Sequence, residues 1–231
     1  MHPYVNEVQH YLEQFADPGA AIPMKAYMRN QFEYLGINLW QVRKKTEEFY
    51  TQQGFPPLDN LDKIVRDLWN LPYREFQYIA INMLVKWVDD LPADFIGTLE
   101  YLLITKSWWD TVDSLAGEVV GAFFLLHPEL RDKTLKLWRG SDNIWLRRTC
   151  LIFQLKYKKN TDFNLLKSVI LENLGSREFF INKAIGWALR TYSRIDPTAT
   201  VDFVNSTALS NLSRKEALKW LEDKKSKEIT Q

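Results

Sequence analysis

The sequence predicts an all-α protein, an α-solenoid of stacked helix pairs. Apolar residues recur at three- and four-residue spacing through much of the 231-residue chain, as in helices that bury one stripe. A similar segment recurs around Phe76, Trp109, Trp145 and Phe180, at intervals of 33, 36 and 35 residues. No alternating run of strand length between hairpin turns stands out. A period near 35 residues made of two helices is typical of a solenoid, because each pair buries a face only by stacking on its neighbours.

The N-terminal third has the apolar pattern of separate helices. Asp, Pro and Gly at 17–19, then Gly36, then the cluster GFPP at 54–57 break the chain between them. The helices are predicted over 5–15, 22–34 and 39–53.

Beyond residue 58 the first member of each helix pair lies between the recurring aromatic segments. These helices are predicted over 93–103, 128–138, 163–173 and 197–205. Ser213 followed by Glu216 indicates a capping box that opens a last partial unit. The polar stretch 222–228 suits a capping or frayed tail. Nothing marks a linker, so one domain over 1–231 is predicted.

Composition places the chain among ordinary soluble globular proteins, with 46% hydrophobic and 26% charged residues. We expect no signal peptide, because the N-terminus has no basic region followed by an apolar run. We expect no membrane span, because no apolar run approaches about 18 residues. The single cysteine, Cys150, lies in an apolar run, so we expect an inert buried thiol and no intramolecular disulfide. A reducing, cytoplasmic location fits this chemistry.

The net charge of +1 hides an uneven distribution. Between 131 and 195, fourteen Lys and Arg face five Asp and Glu, a net charge of +9, so the remainder carries −8. Such asymmetry suggests a polyanionic partner. Folding could equally disperse these charges as solvated side chains, and the count alone leaves both interpretations open.

The stretch 106–114, KSWWDTVDS, has the residue types of a site. On a helix Trp109 and Asp113 share a face, about 40° apart around the axis. An aromatic ring beside a carboxylate suits a cationic substrate. The spacing is also compatible with a core tryptophan and a solvated aspartate at its rim.

Most standard catalytic sets are absent from the sequence. His2, His10 and His127 lack metal-ligand spacing, so no metal site is expected. There is no Gly-rich phosphate loop, no serine nucleophile elbow and no cysteine paired with histidine. We therefore expect no cofactor, and any chemistry must use a carboxylate and aromatic side chains.

A solenoid exposes one helix of each pair on a concave side, which forms an extended groove. If the second helices line this groove, Trp109, Asp113, Arg148 and the segment 186–190 face the same space. A guanidinium binds phosphate oxygens through two charge-assisted hydrogen bonds. The predicted concave basic groove therefore favours a nucleic-acid ligand.

Several motifs in order along the chain carry a family resemblance. They are YMRN at 27–30, LGI at 35–37, TKSWWD at 105–110, VD at 112–113, SDNIWL at 141–146, FQLKYK at 153–158, KAIGW at 183–187 and LR at 189–190. With these motifs the chain resembles the AlkD-type alkylpurine DNA glycosylases, the HEAT-like-repeat DNA alkylation repair enzymes. The resemblance covers almost the whole chain.

The resemblance implies hydrolysis of the N-glycosidic bond of N3- and N7-alkylated purines, such as 3-methyladenine and 7-methylguanine, in duplex DNA. It implies that Asp113 is the catalytic carboxylate and that Trp109 and Trp187 contact the damaged nucleotide. The predicted DNA contacts are Tyr27, Arg148, Arg190 and Lys156. Lys156 is taken as a phosphate-facing lysine rather than a Schiff-base lysine, so we expect a monofunctional glycosylase without lyase activity.

An alkylated purine carries a positive charge and leaves readily, so one carboxylate can suffice where ordinary glycosidases need two. Asp110 is then expected to be structural, with a secondary role left open. We expect the lesion to be recognised within the stack or only partly out of it, since a groove offers no deep pocket.

Two other functions remain to be weighed. A repeat protein of the same build could bind damaged or branched DNA without catalysis, and an α-solenoid could be a protein-interaction scaffold. The expected partner is duplex DNA containing alkylated purines, with no obligate protein partner, and the expected state is a monomer.

Overall fold

The regular structure of the described part of the chain is helical. The computed structural model describes residues 1–229, and the last two residues of the predicted domain, 230 and 231, lie outside the described residues. Within 1–229 the exception to helix and loop is an isolated parallel bridge between Glu33 and Tyr73. Contacts between α-carbons divide the chain into two compact units, 1–106 and 107–231. The single domain therefore stays a prediction, and each unit is described by itself.

The first unit consists of six α-helices joined by short loops and 3-10 turns. They are α1 (Pro3–Glu13), α2 (Pro18–Tyr27), α3 (Leu39–Gln53), α4 (Leu61–Asn70), α5 (Arg74–Trp87) and α6 (Ile96–Ile104). α4 packs against α5, while α3 contacts both α1 and α5, and α4 also contacts α6. Helices two apart in sequence thus stack on each other, as expected for repeated helix pairs.

The second unit contains the recurring aromatic segments after residue 106. Its helices are α7 (Trp109–Ser114), α8 (Gly121–Leu126), α9 (Pro128–Arg139), α10 (Ile144–Ile152), α11 (Phe163–Glu172), α12 (Phe179–Tyr192), α13 (Pro197–Ser206) and α14 (Asn211–Ile229). α10 contacts α7 and α12, and α12 contacts α14. The predicted all-α class with stacked helix pairs is confirmed, whereas the concave basic groove stays a prediction.

Hydrogen bonds between helices follow the predicted period. In the first unit the Arg74 guanidinium donates to the backbone carbonyl of Lys106, 32 residues later, at 2.7 Å. In the second unit the Ser213 hydroxyl donates to the carbonyl of Asn182, 31 residues earlier, at 2.9 Å. In each case a side chain of one helix pair donates to a backbone carbonyl of the neighbouring pair and so satisfies a partly buried acceptor.

The predicted helix over 39–53 is confirmed, but the prediction of a helix over 22–34 is wrong. That helix, α2, begins at Pro18 and ends at Tyr27. The Asp17 carboxylate caps it by accepting from two backbone N–H groups, and Pro18 fits the first turn because no hydrogen bond is lost there. Residues expected to break the chain therefore start a helix. Arg29, in the left-handed region with φ 54°, follows its end.

The predicted capping box of Ser213 and Glu216 is also wrong. α14 begins at Asn211, three residues earlier than a Ser213 cap requires. The Ser213 backbone N–H donates to the Ser210 hydroxyl at 3.1 Å, so Ser210 caps the helix. Ser213 lies in the first turn, and Glu216 is left to contact another helix.

Large side chains fill the core of each unit. Trp69 and Phe76 are fully buried in the first unit, as are Phe123 and Trp138 in the second. Cys150 is buried and unpaired, and burial raises the pKa of its thiol to about 12. The predicted burial of this thiol is confirmed, and the raised pKa disfavours the reactive thiolate.

A buried carboxylate holds the loop before α3. Glu75 is fully buried and accepts hydrogen bonds from the backbone N–H groups of Leu35, Gly36 and Ile37, at 3.0, 3.0 and 3.1 Å. Gly36 has φ 91°, and a Cβ there would lie 2.0 Å from the Asp17 carbonyl oxygen. The LGI motif is therefore set by a backbone turn that requires glycine. Burial raises the pKa of Glu75, and the three N–H donors oppose that rise.

Replacing Glu75 with Ala should lower the free energy of unfolding by about 3 kcal/mol or more, because three buried N–H groups lose their acceptor. Urea denaturation followed by circular dichroism measures this loss. Glu75→Gln retains one acceptor oxygen and should lose clearly less. Equal stability of Glu75→Ala and wild type would contradict the anchoring role.

Candidate active site

Asp113 lies on a continuous helical segment that runs from α7 through a π-helical stretch, Leu115–Val120, into α8. Trp108 precedes α7 in an extended conformation, and Asp110 lies in its first turn, where a negative charge is favourable. π-helical stretches are rare and occur often at functional sites. Asp113 lies two residues before the π-helical stretch, and the side chains around it in sequence are fully or partly buried.

Arg148 of α10 binds Asp113 through both carboxylate oxygens. Its Nε donates to Oδ1 and its second terminal nitrogen to Oδ2, each at 2.7 Å. A further nitrogen donates to the backbone carbonyl of Phe180. The Arg148 side chain is 5% exposed and that of Asp113 is 16% exposed. Both side chains are thus largely buried, and Asp113 is the more exposed of the two.

Two opposing effects set the protonation of Asp113. Burial raises the pKa of its carboxyl above the ordinary value, and the Asp110 charge adds to the rise. The bidentate hydrogen bonds and positive charge of Arg148 oppose it. Burial outweighs Arg148, so the pKa of Asp113 lies above the ordinary value and its carboxylate accepts a proton more readily than an exposed aspartate does.

Three aromatic side chains from consecutive repeats pack together beside this pair. Trp108 contacts Trp145 and Phe180, with ring centroids 5.8 and 5.1 Å apart, and the latter two are also 5.1 Å apart. The Arg148 guanidinium lies 5.8 Å from the centre of the Phe180 ring. This cluster fixes Trp108 ahead of α7 and Phe180 beneath Arg148. These contacts are those of a packing residue, so we assign Trp108 a structural role.

Trp109 and Trp187, the two aromatic residues predicted to contact the damaged nucleotide, are both half-buried. Trp109 is the first residue of α7, one turn before Asp113, and Trp187 lies on α12. α10 joins these helices, because it packs against both. The structure thus places the three predicted catalytic residues on helices of one stack, and their roles stay predictions.

Arg190 and Lys156, two of the predicted DNA contacts, are ion-paired. Arg190 donates to Glu216 of α14 at 2.8 Å. Lys156, which is exposed, pairs with Glu118 in the π-helical stretch. Since Arg148 pairs with Asp113, every cation predicted to contact DNA in the second unit has a carboxylate partner.

Tyr27 belongs to the first unit, at the C-terminal end of α2, and is 71% exposed. Arg148 differs from it, because it is buried and bound to Asp113 rather than presented at a surface. For both residues the DNA contact stays a prediction.

Sequence reasoning missed Glu216 and Glu118, the carboxylates that hold the predicted DNA contacts. Glu216 follows Lys183 by 33 residues, close to the repeat period, as Arg148 follows Asp113 by 35. In the sequence, opposite charges about one repeat apart are the signal that indicates the pairs Lys183–Glu216 and Asp113–Arg148. Glu118 and Lys156 are 38 residues apart and would have been harder to match.

Within the described residues, no group of three His, Cys, Asp or Glu side chains could hold a metal ion. A search of the described helices found none that is long and apolar enough to cross a membrane. The groups near Asp113 are a carboxylate, a guanidinium and indole rings, which can stabilise a cation and accept a proton.

The chain is thus a helical repeat protein in which an arginine binds a largely buried carboxylate. Known proteins share this fold. A family model described as DNA alkylation repair enzyme matches residues 8–221. A solved structure titled "Predicted DNA alkylation repair enzyme from Enterococcus faecalis" is similar at a TM-score of 0.83 and 30% sequence identity. The alignment covers 89% of this chain and 96% of that one. No curated protein matches.

The chain belongs to the DNA alkylation repair enzyme family, since the match spans nearly its whole length. This membership supports a role in the repair of alkylated DNA and identifies DNA as a partner.

Replacing Arg148 with Met should raise the pKa of Asp113 further, because burial remains while the opposing charge and hydrogen bonds are lost. Carbon-13 NMR titration of the side-chain carboxyl measures this pKa. Arg139→Met is the matched control, since Arg139 pairs with Glu172 instead, and Asp113 should titrate there as in wild type. An unchanged or lower Asp113 pKa in Arg148→Met would contradict the assigned balance.

Proposed function

We propose that the protein is a monofunctional DNA glycosylase that hydrolyses the N-glycosidic bond of N3- and N7-alkylated purines in duplex DNA. The buried, bidentate pair of Asp113 and Arg148 carries this proposal, because it supplies one oriented carboxylate next to aromatic side chains. Membership of the DNA alkylation repair enzyme family supports it. The substrates named in the sequence analysis, 3-methyladenine and 7-methylguanine, are part of the proposal.

Asp113 would stabilise the positive charge that develops on the deoxyribose as the base departs. Both carboxylate oxygens accept from Arg148, and each retains a second lone pair. Asp113 is the more exposed member of the pair, and we propose that these lone pairs face the substrate. A negative charge fixed in advance in a partly buried site stabilises a cationic transition state more than a mobile one does.

The reaction needs only water as co-reactant. The bond between C1′ of the sugar and the purine nitrogen breaks, and its electron pair neutralises the charge of the alkylated base. A water oxygen bonds to C1′ and transfers a proton to Asp113 or to solvent. Burial favours this proton transfer by raising the pKa of Asp113.

We propose that Arg148 acts first through Asp113. Three of its hydrogen bonds go to Asp113 and to the Phe180 carbonyl, and its side chain is almost wholly buried. A guanidinium fixed in this way sets the direction of the carboxylate and favours its ionised form against burial. In this role it is a positioning residue, and a direct DNA contact by Arg148 would be secondary.

Trp109 and Trp187 are proposed to contact the damaged nucleotide. Indole faces attract a cation, and each such contact could contribute about 0.5–2 kcal/mol. Selectivity would then come from the charge and lability of the lesion, with the base within the stack or only partly out of it. Tyr27, Arg190 and Lys156 are proposed as further DNA contacts, and the monomeric state and cytoplasmic location stay predictions.

Replacing Asp113 with Asn should lower the single-turnover rate of 7-methylguanine release from methylated duplex DNA by at least about 100-fold, because an oriented negative charge is lost. Asn keeps the side-chain volume, so DNA binding should persist. Equal rates for both proteins would remove Asp113 from its role. Wild type that binds damaged duplex without releasing any base would instead favour a non-catalytic damage-binding protein.

The wild-type rate should fall as pH falls through the pKa of Asp113, because the protonated carboxyl no longer stabilises a cation. This acidic limb should lie above the range of an ordinary aspartate, since burial raises the pKa. A pH–rate profile measured under single-turnover conditions tests this. A rate that stays constant down to the ordinary aspartate range would contradict the assignment.

Substrate charge should decide which bases are released. Duplexes that carry 7-methylguanine should lose the base, whereas matched duplexes with the neutral O6-methylguanine should not, because a neutral purine is a poor leaving group without protonation. Chromatography of the released bases makes the comparison. Similar release of both would contradict selection by charge.

A further inference from the structure

Three charged side chains from two helices converge beside Trp187. Glu216 of α14 accepts from Lys183 through one carboxylate oxygen at 2.7 Å and from Arg190 through the other at 2.8 Å. Both cations lie on α12. One carboxylate thus brings together two positive groups that start about two helical turns apart.

The three side chains of this cluster differ in how far they are exposed to solvent. The Glu216 side chain is 17% exposed, that of Arg190 is 26% exposed and that of Lys183 is 36% exposed. The acid is therefore the most buried of the three, with the cations above it and a net charge of +1. The hydrogen bonds to Lys183 and the positive charges keep the pKa of Glu216 below its usual range, so the acid stays ionised.

The backbones of α12 and α14 approach closely where Glu216 binds. A Cβ at Gly186 would lie 2.4 Å from the Glu216 Cβ and 2.9 Å from the Ser213 carbonyl oxygen. Glycine at this position therefore allows the contact that places Glu216 beneath the cations. Trp187 is the next residue, four after Lys183 and three before Arg190, so it lies between them along the helix.

We infer that Lys183 and Arg190 together bind one phosphate of the DNA backbone beside Trp187, and that Glu216 is the positioning residue for both cations. The inference rests on the proposed function and adds Lys183 and Glu216 to the DNA-binding surface. An ammonium has three donors and a guanidinium five, so each cation can hold Glu216 and still donate to a phosphate.

The salt dependence of duplex binding tests whether Lys183 and Arg190 bind one phosphate or two. We would measure affinity for an undamaged duplex and for the same duplex with one abasic-site analogue, using Lys183→Ala, Arg190→Ala and the double variant. Each single variant should bind roughly fivefold more weakly with a nearly unchanged salt slope, because one cation still neutralises the phosphate. The double variant should lower the slope by about 0.9, the contribution of one phosphate.

A slope change of about 0.9 in each single variant would mean two separate phosphates and would overturn the shared site. Unchanged affinity and slope in all three variants would overturn the site altogether. If wild type binds DNA but releases no alkylated purine, the proposed function is wrong. The salt slopes of the variants still test the shared phosphate site in that case.

The positioning role is tested by Glu216→Gln, for which two explanations predict opposite signs. If Glu216 orients the cations, duplex binding should weaken about threefold, although a negative charge has been removed. If the acid only repels DNA, binding should tighten, and this result would overturn the positioning role. Ser213→Ala is the matched control, because it loses the hydrogen bond to Asn182 at the same helix interface without changing charge. Its duplex affinity should equal that of wild type, with thermal melting confirming that both variants fold.

Discussion

The candidate active site depends on the bidentate contact between Asp113 and Arg148. It joins α7 to α10, and the remaining Arg148 nitrogen reaches the Phe180 carbonyl at the start of α12. Removing one member of a buried pair is expected to cost about 3–5 kcal/mol, because the other charge is left without compensation. The pair therefore holds α7, α10 and α12, one helix from each of three consecutive repeats, in register, and Asp113 is its more exposed member. Phe180, whose ring lies near the guanidinium, also packs against Trp108 and Trp145.

The same arrangement of opposite charges between repeats recurs on both sides of this centre. Glu118 holds Lys156, and Glu216 holds Lys183 and Arg190. The basic excess between 131 and 195 is consequently not a set of independent solvated charges, because some of its members are fixed by acids one repeat away. Fixed cations lose less side-chain entropy on meeting a phosphate, which suits a surface that must hold DNA in one register.

The periodicity of the sequence predicts much of the fold but less of the candidate active site. Apolar spacing and the interval near 35 residues predicted the stacked helix pairs, and α3 has the predicted bounds. The start of α2 was missed because Asp17 and Pro18 serve equally as a break and as a helix N-terminus. Spacing placed Trp109 and Asp113 on one face, but the burial of Arg148 depends on the packing of α7, α10 and α12, which local sequence does not encode. Glu216 was assigned to a cap because its partners lie about thirty residues away.

The most direct test of the central claim is a crystal structure of the protein with duplex DNA that carries a cationic sugar analogue at the lesion position. We expect the Asp113 carboxylate, still held by Arg148, to lie about 3–3.5 Å from the atom that replaces C1′. A complex in which that atom lies far from Asp113, or in which Arg148 leaves Asp113 to bind the DNA backbone, would contradict it.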